Sequence, residues 1–228
     1  MRKRGRAATL LLALAAPACF DVQDVDPGTV MIDDFDDGDF VPTMPELGYW
    51  ECYLYNPPKN RDYHCDHAEG YLSAYSLFVE FSVDDAPDGV QQYPGAGFLS
   101  FGESGILLDV TRYREIVFSL KVVSPDSSIP TEARVNVELQ CRTVESETGA
   151  PPPYGFYLQQ GVQPSGEWST RTLSVANFGA QTDTDLHIKG GTQACLRAID
   201  GIAINVQSNL KDGRSGRGTF FIDGLSFR

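Results

Sequence analysis

Four stretches of this chain alternate apolar with other residues at a period of two, and that pattern constrains the fold most. Leu77, Val79, Phe81 and Val83 interleave with Phe78, Glu80 and Ser82. The same rhythm runs through Ile116, Phe118, Leu120 and Val122, through Val135, Val137, Leu139 and Cys141, and through Ile202, Ile204 and Val206. Successive side chains of a strand point to opposite faces, so this is the pattern of antiparallel strands with one face in a core. Turn-forming clusters separate the runs: Asn56-Pro57-Pro58, Asp84 to Gly89, Ser124-Pro125-Asp126, Gly149 to Pro153 and Asp212-Gly213. No segment shows a helical stripe with caps. The expectation is an all-β chain: an antiparallel β-sandwich of jelly-roll type, about nine or ten strands, no substantial helix and no internal repeat.

The ends read differently from the middle. Arg2, Lys3, Arg4 and Arg6 precede a short apolar run from Ala7 to Ala16, and Ala16-Pro17-Ala18 is a small-residue cleavage pattern. Residues 1–18 therefore read as a secretory signal, too short in its apolar run to span a bilayer. Ala16-Pro17-Ala18-Cys19 resembles a bacterial lipobox, with Ala where Leu is usual. That implies acylation of Cys19 and a lipid anchor, and Phe20 after it is compatible with outer-membrane or cell-surface sorting. Ordinary cleavage to a periplasmic or secreted form is the alternative. Residues 19–29 read as an acidic tether and residues 30–228 as one domain.

The net charge of −13 is unevenly spread. Ten acidic and no basic residues lie between Cys19 and Pro58. An acidic chain is a poor partner for nucleic-acid phosphates or an anionic membrane surface.

Setting Cys19 aside leaves Cys52, Cys65, Cys141 and Cys195, an even set suited to an oxidising compartment. Three pairings are open. Cys52–Cys65 is favoured because it closes a short loop, and Cys141–Cys195 because it would join two expected strands. Zinc at His64-Cys65-Asp66-His67 is disfavoured in an exported chain, where Cys65 is wanted for a disulfide.

Three motifs, in order, resemble the jelly-roll carbohydrate-binding modules, the galactose-binding-like sandwiches. They are Met31 to Asp39, Gly166-Glu167-Trp168 running to Phe178, and Gly218 to Phe227; Asp109 to Tyr113 leading into Ile116-Val117-Phe118 matches their middle. The resemblance covers Val30 to Arg228. It implies one structural calcium, with Asp36, its neighbour Asp37, and Asp223 as ligands, an oxygen set that suits this ion. The other reading of Asp33 to Asp39 is a solvated acidic turn. The resemblance also implies a glycan as ligand and a structural role for Trp168.

Strand parity supplies the candidate sugar site. Tyr53 and Tyr55 (with Tyr49) fall opposite Trp50, Cys52 and Leu54; Arg134, Asn136, Glu138, Gln140 and Arg142 fall opposite the apolar row of residues 133–141; Asn205 and Gln207 fall opposite Ile204 and Val206. Aromatic platforms plus amide and carboxylate groups are what a sugar face needs, and any solvated sheet face shows a similar polar row. Tyr154, Phe156 and Tyr157 are expected to overhang this face or to plug the core.

An enzyme is not expected. There is no GxSxG, HExxH, P-loop or dinucleotide fingerprint, and His64, His67 and His187 lie beside no nucleophile. Glycosidases pair two acids, and the outward row offers only Glu138. The function expected is a non-catalytic, monomeric glycan-binding module at the cell surface. The alternative is a structural or adhesion lipoprotein with protein contacts and no sugar site. Sugar-binding modules commonly accompany a catalytic domain, and none is read here.

Overall fold

The computed structural model describes residues 28–55, 64–71, 73–83, 93–100, 105–123, 134–147, 155–180, 188–207 and 216–228. The expected signal, Cys19, most of the tether, Tyr154 and His187 lie outside them.

The described strands are β1 (Val30–Asp33), β2 (Tyr49–Tyr55), β3 (Cys65–Glu69), β4 (Tyr75–Val83), β5 (Tyr93–Ser100), β6 (Glu115–Val123), β7 (Arg134–Cys141), β8 (Phe156–Val162), β9 (Ser169–Ser174), β10 (Gly179–Ala180), β11 (Gly201–Gln207) and β12 (Gly216–Phe227). They form two antiparallel sheets. Sheet 1 runs β3-β4-β12-β6-β9, with β1 also paired to β12; sheet 2 runs β10-β8-β7-β11-β5-β2. The long β12 lies at the centre of sheet 1, between β4 and β6, and receives β1 at its end, so the domain's first and last strands meet.

The alternating runs fold as their period dictates. Leu77, Val79 and Phe81 of β4, Ile116, Phe118, Leu120 and Val122 of β6, and Phe220 and Ile222 of β12 point inward from sheet 1. Val135, Val137, Leu139 and Cys141 of β7, with Ile202, Ile204 and Val206 of β11, point inward from sheet 2. All are buried, and each such side chain taken out of water contributes about 1.5–3 kcal/mol.

Two disulfides staple this core. Cys52–Cys65 ties β2, the edge of sheet 2, to β3, the edge of sheet 1, across a Cα–Cα distance of 6.3 Å. Cys141–Cys195 spans 5.3 Å between Cα atoms and closes a much longer loop. Each restricts the unfolded chain, an effect of about 2–4 kcal/mol. Both pairings are the favoured ones, with one correction. Cys195 is on a six-residue helix, α1 (Gly191–Leu196), rather than on a strand. Its neighbours Gly190 and Gly191 adopt left-handed backbone, with φ of 80° and 69°, and start that helix.

The acidic opening segment is ordered by its own carboxylates. Asp34 accepts from Asp36 N, Asp37 from Asp39 N and Asp39 from Val41 N, each two residues on, as short acidic side chains do in turns. Phe35 takes a left-handed φ of 58°, costly for a residue with a Cβ. The buried Asp33 carboxylate compensates: Oδ1 accepts from Phe35 N at 2.8 Å and Oδ2 from Trp50 Nε1 at 2.6 Å. The Phe35 ring then lies 5.6 Å from that of Trp50.

Candidate functional site

The outward face of sheet 2 gathers most of the side chains singled out by strand parity. Backbone register lines up three rows across five strands. One runs Tyr157, Gln140, Gly201, Ser100, Tyr49; the next runs Gln159, Glu138, Ala203, Phe98, Glu51; the third runs Gly161, Asn136, Asn205, Ala96, Tyr53. Tyr55 lies further along β2, opposite Tyr93. The side chains of Tyr53 and Tyr55 lie outside the described residues.

Small residues recess the middle of this face. Gly161 fits closely beside them: a Cβ would come within 3.1 Å of Asn136 Oδ1 and 3.3 Å of Arg134 Cδ. Glycine at this point lets the polar side chains lie down across the sheet and bond to each other.

They do so around Glu138. Asn205 Nδ2 donates to Glu138 Oε1 at 2.8 Å, and Gln140 Nε2 donates to Oε2 at 3.1 Å. Asn136 Nδ2 donates to Asn205 Oδ1 at 3.5 Å, the longest link. Parity leads one to expect an open row, and here the structure differs. Asn205 is 1% exposed, Asn136 2% and Glu138 6%, whereas Arg134 is exposed and Gln140 half-buried. Burial pushes the Glu138 carboxyl above its ordinary range, and the two amide donors pull it part of the way back. A merely solvated face has no need of such a network. Beside Glu138, Gln159 Oε1 is buried and accepts no hydrogen bond.

Two tyrosines sit at the ends of the first row. Tyr49 is exposed on the edge strand β2, and Tyr157 is half-buried on β8. The run Phe156 to Val162 divides the aromatic cluster after the Pro-rich stretch: Phe156 enters the core, while Tyr157 turns outward. Gln159 carries a sequence signal of its own, alternation with Phe156, Leu158 and Val162.

The carboxylates assigned to calcium have hydrogen-bond partners in the chain. Asp223, buried on β12, accepts from Tyr71 N at 2.7 Å and from Ser73 Oγ at 2.8 Å. Asp36 accepts from Ala74 N at 2.6 Å. Both therefore clasp the turn between β3 and β4, one from each end of the domain, while Asp37 caps Asp39. Among the described residues no three His, Cys, Asp or Glu side chains gather in a metal-holding group. Asp36 and Asp223 nevertheless offer oxygen only, and a carboxylate oxygen that accepts one hydrogen bond keeps a second lone pair. At the other metal candidate, Cys65 is spent in its disulfide and the His67 ring packs on Phe40, 4.7 Å between centroids.

No family model matches the chain, and no curated protein matches it in sequence. Solved structures do match in fold. The Family 11 carbohydrate-binding module of a cellulosomal cellulase from Clostridium thermocellum superposes with a TM-score of 0.55 at 18% identity, covering 88% of this chain and 94% of that one. This chain has the fold of a carbohydrate-binding module. A second structure of the Clostridium thermocellum Family 11 module, in complex with a β-1,3-1,4-mixed-linked tetrasaccharide, gives 0.53 at 18% identity over 88% and 95% of the two chains. A solution structure of a Family 11 module gives 0.54 at 18% identity, over 88% of this chain and 94% of that one. The jelly-roll sandwich expected from the alternating runs is the observed fold.

Proposed function

We propose that this chain is a non-catalytic glycan-binding module whose site is the outward face of sheet 2. The observation that carries the reading is the buried network of Asn136, Asn205, Glu138 and Gln140, set in a fold shared with carbohydrate-binding modules. Sugar hydroxyls both donate and accept. Gln140 and Gln159, half-buried at the rim of the network, present the amides that a sugar reaches, and the buried Glu138, itself bonded to Asn205, holds Gln140 in place. Tyr49 and Tyr157, at either end of the first row, supply ring faces for the apolar side of a sugar. No acid–base pair or nucleophile is needed for this role, and Glu138 acts as an acceptor.

A glycan array followed by calorimetry on its hits tests this. Gln159→Ala and Tyr157→Ala are expected to lower affinity about tenfold, the equivalent of 1.4 kcal/mol. A blank array together with a discrete protein partner in pull-down would instead favour the adhesion reading.

Two further parts of the proposal concern the ends of the domain. A structural calcium would be held by Asp36 and Asp223 with carbonyl oxygens of the turn they clasp, and would neutralise the acidic opening segment. Support is the meeting of both carboxylates at one turn; a melting temperature unmoved by chelator counts against the ion. The protein is proposed to be exported and tethered through acylated Cys19. Two disulfides are what an exported chain carries, and mass spectrometry of the mature N-terminus tests the acyl group. Among the described residues no helix is long and apolar enough to cross a membrane.

A further inference from the structure

The outward face of sheet 1 carries a second arrangement, unrelated to the network on sheet 2. Backbone register places Asp66 on β3, Phe78 on β4, Phe221 on β12 and Lys121 on β6 in one row. Trp168 continues the row, because it precedes Ser169, the partner of Leu120. The rings follow one another closely: 6.1 Å from Phe78 to Phe221, 6.1 Å from Phe221 to Trp168, and 5.5 Å from Trp168 to Tyr71, which stacks on it at 21°. Lys121 Nζ lies 5.6 Å from the Phe221 ring centre. Phe78, Phe221 and Trp168 are half-buried, and Tyr71 is 43% exposed.

From this row we infer a second glycan-contacting site, formed by Tyr71, Trp168, Phe221 and Phe78 and suited to an extended chain of neutral sugar rings. The site shares its ligand class with the proposed function but none of its residues. Three observations select this occupant. The rings run across the strands with centroids 5.5 to 6.1 Å apart, a run of apolar surface along which an extended sugar chain can lie. Its apolar surface is aromatic, and ring faces take the C–H face of a pyranose. Its charges are mixed: Asp66 and Glu80 are exposed beside the β4 end and Lys121 lies within the row, which suits hydroxyl groups and disfavours an anionic polymer. The Tyr71 end is held by Asp223, which bonds the Tyr71 backbone and so fixes the outermost ring.

The test uses the full chain and two neutral probes, microcrystalline cellulose in depletion assays and soluble mixed-linked β-glucan in affinity electrophoresis. Tyr71→Ala and Phe221→Ser are expected to weaken retention on at least one probe about tenfold, while Gln159→Ala changes retention at this site little. Trp168→Ala risks the fold, so Trp168→Phe, which keeps a ring, is the conservative comparison and should retain most binding. Unchanged retention in Tyr71→Ala and Phe221→Ser overturns the second site. If only Gln159→Ala loses binding, the sheet 2 site stands and this one falls; if only the Tyr71 and Phe221 variants lose it, the reverse holds. A wild-type chain that binds neither probe overturns this inference.

Discussion

At the middle of sheet 2 the outward Asn136, Glu138 and Asn205 are hydrogen-bonding groups buried almost completely, whereas on sheet 1 the outward Phe78, Phe221 and Trp168 are aromatic rings left half-buried. Both faces belong to strands with the same inward apolar pattern, so the core does not decide the difference. Neighbouring residues do. Gly161, Gly201 and Ala203 leave space on sheet 2 for amides and a carboxylate to bond one another. On sheet 1, Phe78, Phe221 and Trp168 fill the equivalent space, and the polar Asp223 beside them is bonded to the turn that carries Tyr71. One face is organised for direction, the other for contact area.

The largest expected effect attacks the support of the aromatic face. Asp223→Ala removes two hydrogen bonds to a charged group and frees the Tyr71 turn; chemical denaturation should show a loss of about 3 kcal/mol. A loss near zero would mean that the clasp does not hold the turn. The polar face should respond next. Glu138→Ala strands the Asn205 and Gln140 donors, with an expected loss of about 2 kcal/mol, partly offset because a buried carboxyl is no longer desolvated.

A third prediction concerns pH. Asp33 is raised to about 7, first by burial, with the Phe35 N–H and Trp50 indole opposing and Asp37 and Asp34 reinforcing it. A carboxyl whose folded value exceeds its unfolded one stabilises the fold fully below the unfolded value. That contribution is lost as pH rises through about 7. Glu138, raised in the same direction, adds to the trend. The melting temperature should therefore fall as pH rises from about 4 to about 7, the span between the unfolded and folded values of Asp33. In Trp168→Phe, where Trp50 is the remaining indole, fluorescence should titrate with a midpoint of about 7. A flat emission profile would contradict the Asp33–Trp50 bond. The smallest effect on stability belongs to the exposed Tyr49: Tyr49→Ala should stay within about 0.5 kcal/mol of wild type while weakening sugar binding.

The inward faces of β4, β6, β7 and β11 were readable because period two reports which side chains share a face. The two disulfide pairings were readable from parity and loop length, but not the helix that presents Cys195, since its six residues carry no amphipathic stripe. Parity also put Asn136, Glu138 and Asn205 on one side correctly. It could not report their burial, which depends on what surrounds a face and not on its alternation. Register is likewise a tertiary property. Nothing local in the sequence aligns Tyr157 with Tyr49 across five strands, or sets Trp168 beside Lys121. The division of tasks among the carboxylates of the acidic opening segment is also tertiary: Asp33 bonds Trp50, Asp36 reaches the distant turn, and Asp37 caps its own loop.

The central claim is that the network on sheet 2 recognises sugar hydroxyls. Nitrogen-15 NMR of side-chain amides during titration with a neutral oligosaccharide identified on the array tests it most directly. The account predicts saturable shifts at the amides of Asn136, Asn205, Gln140 and Gln159. Binding that leaves all four unmoved would contradict it.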